Sequence, residues 1–210
     1  MFTGIITAVG SIVALHELGS TAQFGKRLTI HCPADYLADV SLGDSIALNG
    51  ACMTVTTLDS IANTFTVDVS AESIGKTAGL DAVGTINLEK AMRANDRLGG
   101  HLVSGHVDGI GQVSHFAPLG ESWDLRVVAP TDLARFLAYK GSITINGVSL
   151  TVNRVLDTTQ GCEVSINLIP HTVENTALSR LTVGARVNLE IDLIARYVER
   201  MLSATSLTTA

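Results

Sequence analysis

Cys52, His106 and Ser149 are the side chains of this sequence best suited to nucleophilic or proton-transfer chemistry. A thiol attacks as its thiolate, and an imidazole moves protons near neutral pH. Each residue also has a plain structural reading. A cysteine packs as a small hydrophobe, a lone histidine is more often a satisfied structural group, and a serine beside a turn is ordinary surface. His101, five residues before His106, is the rival imidazole. Lys140 reads as a solvated cation, and Asp192 as the cap of a following helix. The three cysteines (Cys32, Cys52, Cys162) are widely spaced, with no CxxC and no Cys/His cluster. That speaks against a zinc site and for a reduced, cytoplasmic chain.

These residues stand out because the chain repeats itself. The segment Pro33–Val55 recurs 97 positions later as Pro130–Val152, with eight of 23 positions identical and no gap. Gly4–Gly10 pairs with Gly105–Gly111, and Val83–Glu89 with Val183–Glu190. Three collinear matches set two halves, 1–97 and 98–192, followed by a tail, 193–210. In this alignment Cys52 faces Ser149 and His106 faces Ile5. Thr54 matches Thr151, Ser45 matches Ser142, and the polar Ser70 matches the apolar Ile169.

The elements that must position these groups are short strands. Ser45–Leu48 alternates polar and apolar, as a half-buried strand does. Asn49-Gly50 and Asn146-Gly147 each join two β-rich runs, the strongest short-range hairpin signal. Pro33 and Pro130 are each expected to open a short helix, and Ala71–Ala78 and Thr172–Leu178 to form two more. The expected fold is all-β: two homologous six-stranded antiparallel Greek-key barrels with short helices, closure removing exposed edges. Two open sandwiches are the competing architecture. Arg93–Gly100 is the expected linker, polar and Gly-ended. The tail carries a C-terminal α-helix over Ile194–Leu202, with Ile194, Tyr197, Val198 and Met201 on one face. It is either a lid on its own barrel or an oligomerisation helix.

Composition narrows the partners. A net charge of −6 and nine scattered aromatics leave neither a basic footprint nor a stacking platform for nucleic acid. A mean hydropathy of +0.35 suggests apolar surface shared between subunits or a large core. No apolar run reaches the ~18 residues of a membrane span. Met1–His16 lacks a basic start and is interrupted by Thr3, Gly4, Thr7, Gly10 and Ser11, so it reads as a first strand rather than a signal peptide.

Four segments together carry a resemblance. The chain opens Met1-Phe2-Thr3-Gly4-Ile5-Ile6. It contains Leu48-Asn49-Gly50-Ala51-Cys52-Met53-Thr54-Val55 and Gly99-Gly100-His101-Leu102-Val103-Ser104-Gly105-His106-Val107-Asp108-Gly109. It also contains Lys140-Gly141-Ser142, followed by Asn146 to Val152. This resembles the riboflavin synthase family, alpha-chain type, over essentially the whole length. The resemblance implies a transferase that dismutates two molecules of 6,7-dimethyl-8-ribityllumazine into riboflavin and 5-amino-6-ribitylamino-pyrimidinedione, the last step of riboflavin biosynthesis. It implies no metal and no other cofactor. It implies a homotrimer held partly by the C-terminal helix, each active site lying between the N-terminal barrel of one subunit and the C-terminal barrel of a neighbour.

The same resemblance distributes the site. Cys52, with Met53 and Thr54 beside it, is placed at the N-barrel pocket as nucleophile, base or wall. Ser149, Leu150 and Thr151 are the C-barrel counterparts, and Ser45 shares the hydroxyl-bearing surface. Phe2 covers the heterocycle or anchors the first strand, followed by Gly4, Ile5 and Ile6. His106, between Gly105 and Val107, suits proton transfer at the C7 methyl group; His101 ranks lower because the pocket resembles Gly105-His106-Val107. Asp68, Val69, Ser70, Ala71, Glu72 and Ser73 line the first pocket. Ile169, Pro170, His171, Thr172, Val173 and Glu174 line the second. Lys140 comes from a neighbouring subunit, and Asp192 orients a pocket group. Because one lumazine donates and the other accepts, pockets that differ at Cys52/Ser149 and His106/Ile5 suit the reaction. Non-catalytic relatives that hold a lumazine or flavin as chromophore are the competing class, and a flavin-domain reductase is a third. The presence of Cys52, His106, Lys140, Ser149 and Thr151 favours the enzyme.

Overall fold

A computed structural model describes residues 1–21 and 23–206. The first half forms a closed six-stranded antiparallel barrel. Its strands are β1 (Ala8–Glu17), β2 (Lys26–His31), β3 (Ser45–Leu48), β4 (Ala51–Asp59), β5 (Thr64–Val69) and β6 (Gly84–Lys90), in the order β1-β2-β5-β4-β3-β6. Alternation builds it. In β4, Ala51, Met53 and Val55 point inward, while Cys52 and Thr54 point out. The interior is filled by a cluster that includes Leu28, Ile46, Leu48, Phe65, Val67, Ile86 and Leu88. Fully burying one such Leu or Ile is worth about 1.5–3 kcal/mol.

The second half repeats this with one difference. Its strands are β7 (Gly109–Leu119), β8 (Ser122–Ala129), β9 (Ser142–Ile145), β10 (Val148–Thr151), β11 (Arg154–Thr158), β12 (Gly161–Leu168) and β13 (Arg186–Ile191), in the order β10-β9-β13-β7-β8-β12-β11. The two ends of that order are consecutive pieces of what is one strand in the first half. In β4 the register against β5 slips between Val55 and Thr57, a bulge. The same place in the repeat is Val152-Asn153, where β10 ends before β11 begins. The amide of Asn153 still donates to the Ser165 carbonyl at 2.8 Å, so the barrel closes across the break.

The helices only partly follow expectation. Ser70 caps α1 (Ala71–Lys76), its side chain accepting from the Ser73 amide. Helix α2 (Pro170–Glu174) and a 3-10 turn over Ala177–Arg180 stand in place of the single helix expected at 172–178. A 3-10 helix spans Thr131–Phe136 after Pro130, but the stretch after Pro33 is a run of turns. Asp35 there adopts φ 66°, in the left-handed region, which a right-handed helix cannot continue through.

Helix α3 (Leu193–Ser206) closes the described chain, and residues 207–210 of the expected tail lie outside the described residues. It rests on its own barrel through its polar face. Arg196 donates to Asp108 at 2.6 Å and Arg135 pairs with Glu199 at 2.7 Å. Ile194, Tyr197, Val198 and Leu202 are exposed. The apolar stripe thus does not lid its own barrel. Among the described residues no helix is long and apolar enough to cross a membrane.

The two barrels meet at their Asn-Gly turns. Asn49 and Gly50 have φ of 46° and 86°, and Asn146 and Gly147 of 48° and 79°, positive at both central positions as the hairpin requires. The tips touch: a Cβ on Gly50 would lie 2.8 Å from the Gly147 nitrogen, and one on Gly147 would lie 2.7 Å from that of Gly50. Two buried asparagines stitch this seam reciprocally. Asn87 Nδ2 donates to the Asn146 carbonyl at 2.9 Å, and Asn188 Nδ2 to the Asn49 carbonyl at 3.0 Å. Their Oδ1 atoms accept from the amides of Ala177 and Ala78, both at 2.6 Å. The Asn-Gly pairs are therefore turns and interface at once.

Candidate active site

Two arms cross between the barrels. The segments before β1 and β7 run side by side, Phe2 and Val103 pairing as an antiparallel bridge with N–O distances of 2.8 and 3.1 Å. Each arm then touches the other half's barrel. The Gly105 carbonyl accepts from the Cys52 amide at 2.8 Å, and the Gly4 carbonyl from the Ser149 amide at 2.7 Å. Both glycines need their positive φ, 74° at Gly4 and 82° at Gly105. A Cβ at Gly105 would lie 2.7 Å from the Cys52 Cβ, and one at Gly4 2.6 Å from the Ser149 Cβ. Each arm is also tied to its own barrel's last strand. Glu89 accepts from the Thr3 amide and hydroxyl and the Gly4 amide, at 2.7, 2.8 and 3.0 Å. Glu190 accepts from the Ser104 amide and hydroxyl and the Gly105 amide, at 2.6, 2.7 and 3.0 Å.

Around Cys52 this geometry leaves a cavity of about 280 Å³. Its walls are Ala51–Met53 from β4, Glu72, Ser73, Lys76 and Thr77 from α1 and its end, and Gly105–Val107 from the arm. Thiol and imidazole therefore face one space, although 54 residues separate them in the chain. Cys52 is half-buried and His106 exposed. The Ser70 hydroxyl donates to Ser73 Oγ at 3.0 Å, which leaves the Ser73 proton available to a ligand.

The second half repeats the frame with other side chains. Ser149 sits under Gly4, with Ile5 at the His106 position. Thr176 Oγ donates to the Thr172 carbonyl at 2.7 Å, as Thr77 Oγ does to Ser73. Ile169 precedes α2 without a side-chain cap, and Pro170 supplies the first turn. His101 also stands here. It is buried, its Nδ1 lies 2.7 Å from Ser149 Oγ, and its Nε2 has no hydrogen-bond partner among the described residues. Burial pushes its pKa down, partly opposed by the Asp192 charge, so the ring is neutral near pH 7. The Asp192 carboxylate itself accepts from the Ile194 amide at 2.9 Å, capping α3.

Several other expected site residues do not line the Cys52 cavity. Phe2 is fully buried between the barrels with Ala47 and Val103, beneath the Gly105 arm, so its side chain anchors rather than covers. Val69, Leu150 and Val173 point into the barrel cores. Asp68 is held by Arg27 at 2.7 and 2.8 Å, and that guanidinium keeps its carboxyl below the usual range. Ser45 pairs with Thr54 across β3 and β4 but lines a separate cavity of about 170 Å³, beside Asp39, Asp44, Lys90 and Arg93. Lys140 is exposed and donates to Asn153 at 3.0 Å. Ile6, partly buried, packs on the second core. Ile169 is exposed just before α2, Pro170, His171 and Glu174 are exposed on it, and Thr172 is half-buried. Ala71 opens α1, and Thr151 is exposed at the end of β10. Glu89, Glu190, Lys76 and Thr77 were not singled out in the sequence. The signal for the two glutamates was their identity in the repeated Asn-Leu-Glu.

Comparison with known proteins agrees with this architecture. The lumazine binding domain family matches twice, over residues 3–91 and 104–192. The riboflavin synthase of Photobacterium phosphoreum is 44% identical over 204 residues, covering 96% of this chain and 89% of that one. That of Bacillus subtilis (strain 168) is 44% identical over 206 residues, covering 96% and 90%. The crystal structure of LumP complexed with 6,7-dimethyl-8-(1'-D-ribityl) lumazine has the same fold, with a TM-score of 0.77 at 23% identity, covering 91% of this chain and 99% of that one. Two lumazine-binding repeats, and relatives this similar over nearly the full length, place the chain in the riboflavin synthase family.

Proposed function

We propose that the chain moves a four-carbon unit between two molecules of 6,7-dimethyl-8-ribityllumazine, releasing riboflavin and 5-amino-6-ribitylamino-pyrimidinedione. The observation that carries this reading is one duplicated frame, with a cavity at Cys52 in the first half and the matching place at Ser149 in the second, unequal at Cys52/Ser149 and His106/Ile5. Two copies of one substrate call for two similar pockets. Opposite roles for those copies call for a difference between them. Holding two rings in fixed mutual orientation makes a bimolecular step effectively intramolecular, worth up to about 7–11 kcal/mol. His106 is suited to move a proton at the C7 methyl group. Cys52 is suited to act at C7 as nucleophile or base, or to wall the ring. Ser149, hydrogen-bonded to a neutral His101, offers a polarised hydroxyl on the other side. LumP has been solved with the lumazine and with riboflavin, which supports a scaffold able to hold substrate and product alike.

We further propose a homotrimer in which each site joins the N-terminal barrel of one subunit to the C-terminal barrel of the next. Its support is α3, docked by ion pairs on its polar side while Ile194, Tyr197, Val198 and Leu202 face outward. Burying that face against a neighbour gains about 25 cal/mol per Å² of apolar area. Lys140 would reach such a site from the neighbouring chain. Three free cysteines support a cytoplasmic setting.

The test of the reaction is purified protein mixed with the lumazine alone. Flavin absorbance should rise with nothing else added; silence until a metal or redox cofactor is supplied would contradict the proposal. Truncation after Asp192 should give smaller species by sedimentation and a matching fall in turnover. A fully active trimer without the tail would place the interface elsewhere.

A further inference from the structure

We propose that Glu89 and Glu190 are crossed positioning residues: each sits on the last strand of one barrel and fixes the arm that lies on the other barrel, at Ser149 and at Cys52. Glu190 belongs to β13 of the second barrel, yet the arm it grips carries Gly105 and His106 to the Cys52 cavity of the first. Glu89 belongs to β6 of the first barrel, and its arm carries Gly4 and Ile5 to Ser149 of the second. The grip extends one residue further along each arm. Ser104 Oγ accepts from the His106 amide and Thr3 Oγ from the Ile5 amide, both at 3.2 Å. Glutamate, hydroxyl and the residue facing the pocket therefore form one hydrogen-bonded chain.

The side chain has to be a carboxylate. Three donors converge on two oxygens, one oxygen taking the amide and hydroxyl and the other the glycine amide. Glutamine would keep one acceptor and turn an NH2 group toward the glycine N–H, donor against donor. Both glutamates are almost wholly buried, at 4% and 2% exposure, so their charges are tolerated only because the arms satisfy them. Burial holds both carboxyls above the usual range, and the arm hydrogen bonds offset only part of that rise. Glu190 does not line the Cys52 cavity, so it acts there through the arm it holds. Glu89 lines a separate cavity with Thr3 and Ile5 and reaches Ser149 only through its arm. The arms also pair with each other at Phe2 and Val103, which places both handles beside one seam.

The inference builds on the reading of these two pockets as the two halves of one reaction, but its test reads geometry without turnover. Cys52 lies under the Gly105 arm, while Cys32 and Cys162 are buried. In full-length protein, iodoacetamide labelling of Cys52 is followed by mass spectrometry, with a Ser149→Cys variant providing the matching probe in the other barrel. Glu190→Gln should speed labelling at Cys52 by about tenfold, the size of a lost hydrogen bond to a charged group, and leave position 149 within about twofold. Glu89→Gln should do the reverse. Ser104→Ala and Thr3→Val remove one donor each and should show the same crossed pattern more weakly, so the test survives if a glutamate variant fails to fold. Acceleration within the glutamate's own barrel, or equally in both, would overturn the proposal, as would no change at either probe. Absence of flavin formation by the wild-type protein would instead sink the reading of the reaction and leave the labelling result standing.

Discussion

At Cys52 the first half presents a thiol under Gly105, with His106 next along the arm. At Ser149 the second half presents a hydroxyl under Gly4, with Ile5 next. The contacts at the arm carbonyl and at the glutamate are repeated to within 0.1 Å: 2.8 against 2.7 Å at the carbonyl, and 2.7, 2.8 and 3.0 against 2.6, 2.7 and 3.0 Å at the glutamate. Duplication has kept the frame and changed the side chains beside it. The frame suits binding the same compound twice. The changed side chains suit treating the two copies differently. His101, 2.7 Å from Ser149 Oγ, sharpens that difference.

The largest expected effect strikes the asymmetry itself. His106→Gln should lower turnover about 100-fold while changing lumazine affinity far less, as for a group acting in proton transfer. Ile5→Val, at the repeat equivalent, should stay within about threefold. Steady-state kinetics of the two variants side by side checks this. Equal losses would mean that both positions are walls and that the pockets do not divide the chemistry.

A smaller effect should strike both halves alike. Gly105→Ala and Gly4→Ala each force a Cβ into a β-strand side chain at positive φ. Each should cost about 1–3 kcal/mol in urea unfolding. A clear inequality would show that the frame is less symmetric than its hydrogen bonds. The smallest effect separates the halves again. Ser70→Ala removes a helix cap and should cost about 1 kcal/mol. Ile169→Ala removes no cap hydrogen bond and should cost clearly less, because Ile169 is exposed and Pro170 already shapes that helix start.

Much of this was legible in the sequence because it is local or periodic. Alternation gave β3, the Asn-Gly pairs gave both hairpins, and the 97-residue repeat gave the duplication. The Pro33 stretch misled, since nothing in Pro-Ala-Asp-Tyr announces that Asp35 turns left-handed. The tail was readable as an amphipathic helix. That its polar face docks and its apolar face looks outward depends on Asp108 and Arg135, which lie far away in the chain. The crossing of the arms was the least legible feature. Gly4 and Gly105 matched each other in the repeat, but no pattern says that each lies on the other half's strand. His101 ranked below His106 because the resemblance pointed to Gly105-His106-Val107; its contact with Ser149 spans 48 residues and leaves no local signal.

The central claim is that two unequal pockets of one duplicated frame act on two copies of one substrate. Product stoichiometry tests it most directly. With 6,7-dimethyl-8-ribityllumazine as the sole added compound, chromatographic quantification should find two lumazines consumed for each riboflavin formed, with one pyrimidinedione released alongside. One lumazine consumed per riboflavin, or riboflavin without the pyrimidinedione, would contradict it.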